Sequence, residues 1–265
     1  MRYIVDSNYL QSDELIKVLS NPNNEVVLCE QVSMEALRSD MLKSFKILAR
    51  YPKQVHVLKR SPKIMKLSLS SKGLQKRLID RNDTKRFRVL CKMIDNPTKR
   101  DEWFNNQNRL MKQESVQGLA TIQSNIEKMN QQILEYFSKL SKAEKKALRR
   151  GHPYDDATIS LILKNIEKMI LQLFASVVDF SNKRNSEEFY NSYLFRGGVC
   201  HYFLMQELYL SGGLPDMKSK KLLNDVLDMQ IAGYATYFDG LLTNDNKAQR
   251  IYKVGKYFIE QTVSA

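Results

Sequence analysis

The chain reads as an α/β protein: a parallel sheet flanked by helices, assembled from the two ends of the sequence, with a large all-α insertion between them. Three observations predict this class. Apolar runs of strand length alternate with helical segments over residues 1–58 and again over 216–265. From about residue 70 to residue 212 strand signals almost vanish, and apolar residues recur at helical spacing instead. Two of the terminal apolar runs end in an aspartate, Asp6 and Asp245, and open parallel sheets bind ligands at such strand ends. With 265 residues and 43% hydrophobic content, the chain can bury a full core in one or two domains.

The elements follow in order. Residues 2–6 (RYIVD) and 25–29 (EVVLC) read as strands. Between them SDELIKVLSNP is a short helix that Ser12 or Asp13 caps and NPNN ends. After the second strand, residues 32–51 carry Met34, Leu37, Met41, Phe45 and Leu48 at helical spacing, which predicts one helix stopped by Pro52. QVHVL (54–58) is a third strand. Strands and helices alternating at these lengths imply right-handed βαβ units.

Residues 59–215 form a basic and helical insertion, part of which completes the core. SVQGLATIQSNIEKMNQQILEYFSKL and ATISLILKNIEKMILQLFASVVDFSNK are sustained helices, and their shared NIEKM, at 125–129 and 165–169, hints at an internal repeat. KLSKAEKKALRRG is a short helix ending at Gly151, with Pro153 blocking continuation. EEFYNSYLFRGGVCHYFLMQELYLSGG is apolar on most faces and reads as buried. The α/β pattern resumes with KKLLNDVLDMQIAGYATYF as a helix, Asp239 at a turn, GLLTND as a strand, and YKVGKYFIEQTV as a terminal helix or strand.

The net charge of +13 is concentrated. Residues 1–58 balance 7 basic against 7 acidic side chains, whereas 59–113 carry 16 against 5. Such a block attracts polyanions by counterion release. Lys59, Arg60, Lys63, Lys66, Lys76, Arg77, Lys85, Arg86 and Arg88 are the expected nucleic-acid phosphate contacts. A solvated helix face, or a surface for an acidic partner protein, is the competing account. Trp103 and Phe104 follow Lys99 and Arg100 and offer base stacking, although helix packing explains them more simply. No run of about 18 apolar residues suggests a membrane partner. The N-terminus lacks a signal-peptide pattern. Cys29, Cys91 and Cys200 are widely spaced and read as buried small hydrophobes, so a reducing cytoplasm fits.

Acids at strand ends of an apolar sheet are costly to bury, and a chain seldom places them twice without a use. Asp6 and Asp245 end two strands, Glu35 lies early in the helix after the second strand, and Asp228 sits on a small-residue helix. Hard oxygen donors of this kind suit Mg²⁺ or Mn²⁺, and the inferred use is phosphodiester cleavage. No His/Cys cluster offers zinc ligands, and no GxxxxGK[ST] offers a nucleotide loop.

The four segments resemble, in order, the pattern of the PIN-domain nucleases. Asp6-Ser7-Asn8 closes an apolar strand, Glu35 lies in MEALR, Asp228 opens D-x-x-I-A-x-x-A with Ile231, Ala232 and Ala235, and Thr243-Asn244-Asp245 closes the last strand. The resemblance covers residues 1–58 and 216–265 and leaves 59–215 unexplained. It implies a PIN-like core and a metal-dependent endoribonuclease, with RNA preferred to DNA as substrate. Asp6, Glu35, Asp228 and Asp245 would be the catalytic metal ligands, and Ser7, Asn8, Thr243 and Asn244 would orient them. A toxin, an anti-phage effector and an RNA-processing enzyme all fit. The resemblance also admits a homo-oligomer and an inhibitor or activator protein as partners.

Three rivals stay open: a structure-specific DNA nuclease, a non-catalytic nucleic-acid or partner-binding protein, and a metal-independent ribonuclease. The last rests on Arg196-Gly-Gly-Val-Cys-His201, which resembles the R-x4-H motif of HEPN ribonucleases, with Arg196 for phosphate and His201 for acid–base work. Two glycines after Arg196 weaken any helix there, and a buried histidine is the simpler account.

Overall fold

Continuous apolar runs, rather than alternating ones, mark strands covered on both faces. The computed structural model describes residues 1–65, 67, 72–96, 98, 100, 102–150, 153–174, 187–210 and 219–263. Four short strands pair in one all-parallel sheet: β1 (Arg2–Val5), β2 (Glu25–Leu28), β3 (Val55–Val57) and β4 (Gly240–Leu242). Ile4 lies opposite Val27 on one side and Leu241 on the other. Ile4, Val5, Val26, Val27 and Leu28 are fully buried. The spatial order is β3-β2-β1-β4, so the progression reverses between β1 and β4. The carboxyl ends of those two strands flank the switch point, where such sheets bind ligands.

The first half shows where local chemistry overrode periodicity. Helix α1 (Asp13–Leu19) is capped as expected, with Ser12 Oγ accepting from Leu15 N at 3.2 Å. The single helix expected over 32–51 is instead three pieces, α2 (Glu30–Arg38), α3 (Met41–Ser44) and α4 (Lys46–Arg50). Ser39 leaves helical dihedrals (φ −80°, ψ −104°), and Asp40 Oδ1 accepts from Leu42 N and Lys43 N to start a new turn. Serine and aspartate compete for backbone hydrogen bonds in this way, and here they break an apolar stripe that stays buried throughout.

The basic block folds as α5 (Ser61–Met65), α6 (Leu74–Leu78) and α7 (Arg81–Asp95). Asp80 Oδ1 caps α7 through Asn82 N and Asp83 N. Helix α7 packs on β3 and α4, burying Phe87, Leu90, Cys91 and Ile94. Thr84 Oγ1 accepts from Val57 N at 3.0 Å. This part of the basic region therefore completes the core at the β3 edge.

Beyond it come α8 (Glu102–Ser138), α9 (Lys142–Arg150), α10 (Asp156–Phe174), α11 (Glu187–Tyr190), α12 (Tyr193–Leu210), α13 (Ser219–Ala235) and, after β4, α14 (Asn246–Val263). The terminal segment is thus a helix, with Ile251, Phe258 and Ile259 buried on one face. Helix α8 lies against α2 and α13, and α12 packs against α10, α13 and α14. Their buried residues belong to one hydrophobic cluster with the sheet. Gly151, residues 175–186 and the side chains of the first NIEKM copy lie outside the described positions. No helix among the described residues is long and apolar enough to cross a membrane.

Helix α12 runs unbroken through Gly197 and Gly198. Its glycines sit at backbone crossings. A Cβ on Gly233 of α13 would stand 3.2 Å from Gly197 Cα, and one on Gly198 would stand 3.0 Å from Ile170 Cδ1 of α10. Each glycine sacrifices about 1 kcal/mol of helix propensity, which the close approach of packed helices offsets. Gly233→Val should therefore overpack this crossing and destabilise the fold by about 1–3 kcal/mol, seen as a lower urea midpoint.

Candidate metal centre

The β1–β4 pairing brings the two ends of the chain into one hydrogen-bonded cluster. Asp6 N donates to Leu242 O at 2.9 Å, continuing the ladder one residue beyond β1. The Asp6 side chain, 2% exposed, caps a 3-10 turn at Ser7–Tyr9 by accepting from Ser7 N at 2.6 Å. Its other oxygen accepts from Thr243 Oγ1 at 2.7 Å. Asn8 Oδ1 accepts from Asn244 N at 3.0 Å, and Asn244 Nδ2 donates back to Asn8 O at 3.2 Å. All four residues expected to orient the acids are in contact with the cluster.

Asp245 is fixed differently. Its Oδ1 accepts from Ala248 N at 2.8 Å and so caps α14, while its own N–H donates to Thr243 Oγ1 at 3.0 Å. Glu35 projects from α2, with the Ser7 hydroxyl within hydrogen-bonding reach of its carboxylate and of Asp6. One Glu35 oxygen, Oε2, is buried with no hydrogen-bond partner. Asp228 comes from α13. A half-buried clamp ties its helix to that of Glu35: Gln31 Nε2 donates to Gln230 Oε1 at 2.9 Å.

Electrostatics mark these acids as one group. Burial pushes the Asp228 carboxyl up from 3.8 to about 8, with Asp6, Asp245, Glu35 and Asp225 each adding like-charge repulsion. Asp6 is raised chiefly by burial, which the Thr243 and Ser7 hydrogen bonds oppose and Asp245 reinforces. Glu35 is raised by burial and by Asp6, against the Ser7 hydrogen bond and Arg38. A donor set made only of carboxylates, one with an orphaned buried oxygen, fits a hard divalent cation. Among the described residues, no three His, Cys, Asp or Glu side chains already form a ready-made metal cage.

Three contributors were not assigned roles from the sequence. Asp225 stood only as a rival to Asp228 one turn earlier, yet it accepts from Lys247 Nζ at 2.8 Å and adds to the field on Asp228. Its signal was the i,i+3 spacing, which puts both acids on one helix face. Gln31 and Gln230 carried no signal, because an amide pair between distant helices leaves no local pattern.

The expected phosphate contacts divide. Arg60, Lys63, Lys76, Lys85 and Arg86 are exposed, and Lys59 and Arg77 are half-buried. Arg60 stands 3.7 Å from Glu114, Lys63 is 3.3 Å from Asp80, and Arg86 is 3.6 Å from Asp83. Arg88 serves the fold, its Nη2 donating to Lys53 O at 3.1 Å and Val55 O at 3.5 Å. Lys66 lies outside the described residues, as does the side chain of Trp103. Phe104 is buried and belongs to the core, not to a stacking platform. Lys59, Arg60 and Lys63 follow the carboxyl end of β3, so they share the acids' edge of the sheet.

Arg196 and His201 lie on α12 in different surroundings. Arg196 Nη1 donates to Thr236 O and Nη2 to Asn191 Oδ1, both at 2.8 Å, and the guanidinium lies over the Tyr237 ring at 4.5 Å. His201 is 7% exposed, and burial depresses its pKa to about 4, which keeps it neutral. Five positions apart on one helix, the two point about 140° apart. The three cysteines are free and buried.

No protein-family model, curated protein or solved structure matches this chain.

The raised Asp228 pKa has a thermodynamic consequence. Between about pH 4 and pH 8 the folded chain keeps a proton that the unfolded chain has released, so stability falls as pH rises. In EDTA, the urea midpoint should drop from pH 5 to pH 8 in the wild type. Asp228→Asn should flatten that drop and be the more stable of the two at pH 8.

Proposed function

We propose that the chain is a metal-dependent endonuclease with a PIN-like core, hydrolysing phosphodiester bonds of RNA in preference to DNA. The observation that carries this reading is the uncompensated carboxylate group at the switch point. Burial and four neighbouring acids hold Asp228 up to about 8, and one of them, Glu35, has a buried oxygen with no partner. Burying like charges together is destabilising unless something neutralises them. On this reading the helices between β3 and α13 are an insertion into that core.

Asp6 and Asp228 would hold Mg²⁺ or Mn²⁺ directly, with Glu35 and Asp245 completing the set. The ion would supply Lewis-acid polarisation of the phosphoryl oxygen and an activated water. The chain's own groups do the rest. Thr243 and Ser7 donate to carboxylate oxygens and so fix which lone pairs face the site. Asp245, held by the first turn of α14, cannot swing away without uncapping that helix. The exposed Arg60, Lys63, Lys76, Lys85 and Arg86 would draw the polyanionic strand toward the site.

Single-stranded RNA and DNA incubated with Mn²⁺ give the test. RNA should be cut, EDTA should abolish the cutting, and Asp6→Asn should slow it at least about a hundredfold, since a ligand is lost from the transition-state charge. Cutting that survives both EDTA and Asp6→Asn would sink this reading.

A further inference from the structure

Lysine is poorly placed in the first turn of a helix, where the N–H groups already present positive charge. Lys247 is the second residue of α14 and stands two positions after its cap, Asp245. Helix chemistry does not account for it there. Its partner is Asp225, which is buried to a 9% exposed side chain and lies one turn before Asp228 on the same face of α13. The Lys247 ammonium reaches Asp225 Oδ1 at 2.8 Å. Asp225 Oδ2 is buried with no hydrogen-bond partner, so the pair is incompletely satisfied. Buried pairs of this kind contribute little net stability, because desolvation offsets their attraction.

The pair's position explains it better than its energy does. Lys247 stands on the helix that Asp245 caps, and its partner Asp225 is one of the acids whose charge acts on Asp228. The Lys247 side chain is 22% exposed, so the ammonium can be reached from outside. An ammonium has three donors, and Asp225 Oδ1 takes one. We propose that Lys247 contacts a phosphate oxygen of a nucleic-acid strand at the carboxylate centre, with Asp225 positioning it. A strand crossing a cluster of acids meets repulsion, and a tethered cation there lets one phosphate approach. Identifying that phosphate as part of a phosphodiester substrate rests on the nuclease reading.

Binding is the direct test: fluorescence anisotropy of a short single-stranded RNA in Ca²⁺ buffer, across a salt series. Lys247→Gln should weaken binding about tenfold, the worth of one charge-assisted hydrogen bond. It should also lower the slope of log K against log salt by about 0.7, one phosphate contact on a single strand. Lys247→Arg should keep most of the affinity. Because Lys247→Gln strands a buried acid, the double variant Asp225→Asn/Lys247→Gln separates folding from binding. It should regain the wild-type urea midpoint yet stay weak in RNA binding. A double variant that binds RNA as the wild type does, with the same salt slope, overturns the proposal and leaves Lys247 as a neutraliser of Asp225. A wild type that fails to bind RNA also overturns it. A wild type that binds through Lys247 but never cuts in Mn²⁺ supports the contact and overturns the nuclease reading alone.

Discussion

The parallel pairing of β4 with β1 is the constraint on which the rest of this molecule depends. It joins residues at opposite ends of the chain, and Asp6 N to Leu242 O extends it to the first acid. Closing so long a loop is entropically unfavourable, though the cost grows only slowly with length. Packing compensates. Helix α13 runs directly into β4, and α12 locks α13 through the Gly197–Gly233 crossing while Arg196 holds Thr236 O at its end. The apolar core thereby brings Asp228, Asp245 and Asp6, which are far apart in sequence, close enough to act on one another's charge.

That convergence opposes stability. Asp6 is buried, Asp228 is shifted far from its usual range, and Glu35 has an oxygen with no partner. Hydrogen bonds from Ser7 and Thr243 soften the penalty at Asp6, and Asp225 accepts from Lys247 Nζ. Neither removes the repulsion at Asp228. Helices α12, α13 and α14 pack against one another and belong to the same hydrophobic core.

Several residues that stand out in the sequence make structural contacts. Arg196 and His201 share a motif spacing, yet burial leaves the arginine bonded to a backbone carbonyl and a side-chain amide, and the histidine neutral. Gly197 and Gly198, which argue against a helix by propensity, occur inside one because α12 must touch α10 and α13. Arg88 left the basic block to tie α7 to the β3 edge. In each case a tertiary contact outweighed a local preference that the sequence displays openly.

The sequence by itself determined the strands, most helices, their capping residues and the parallel character of the sheet. Those features rest on periodicities and local hydrogen bonds between residues near in sequence, such as Ser12 with Leu15. It also marked Asp6, Glu35, Asp228 and Asp245, because acids next to apolar strands and small-residue helices stand out by composition. Only the tertiary structure decided that these four share one field, that Asp225 and Lys247 join them, and that Gln31 and Gln230 brace the two helices behind them. The physical reason is range. A hydrogen bond or charge coupling between residues some two hundred positions apart leaves no periodicity to read, and it exists only once the core has folded the chain back on itself.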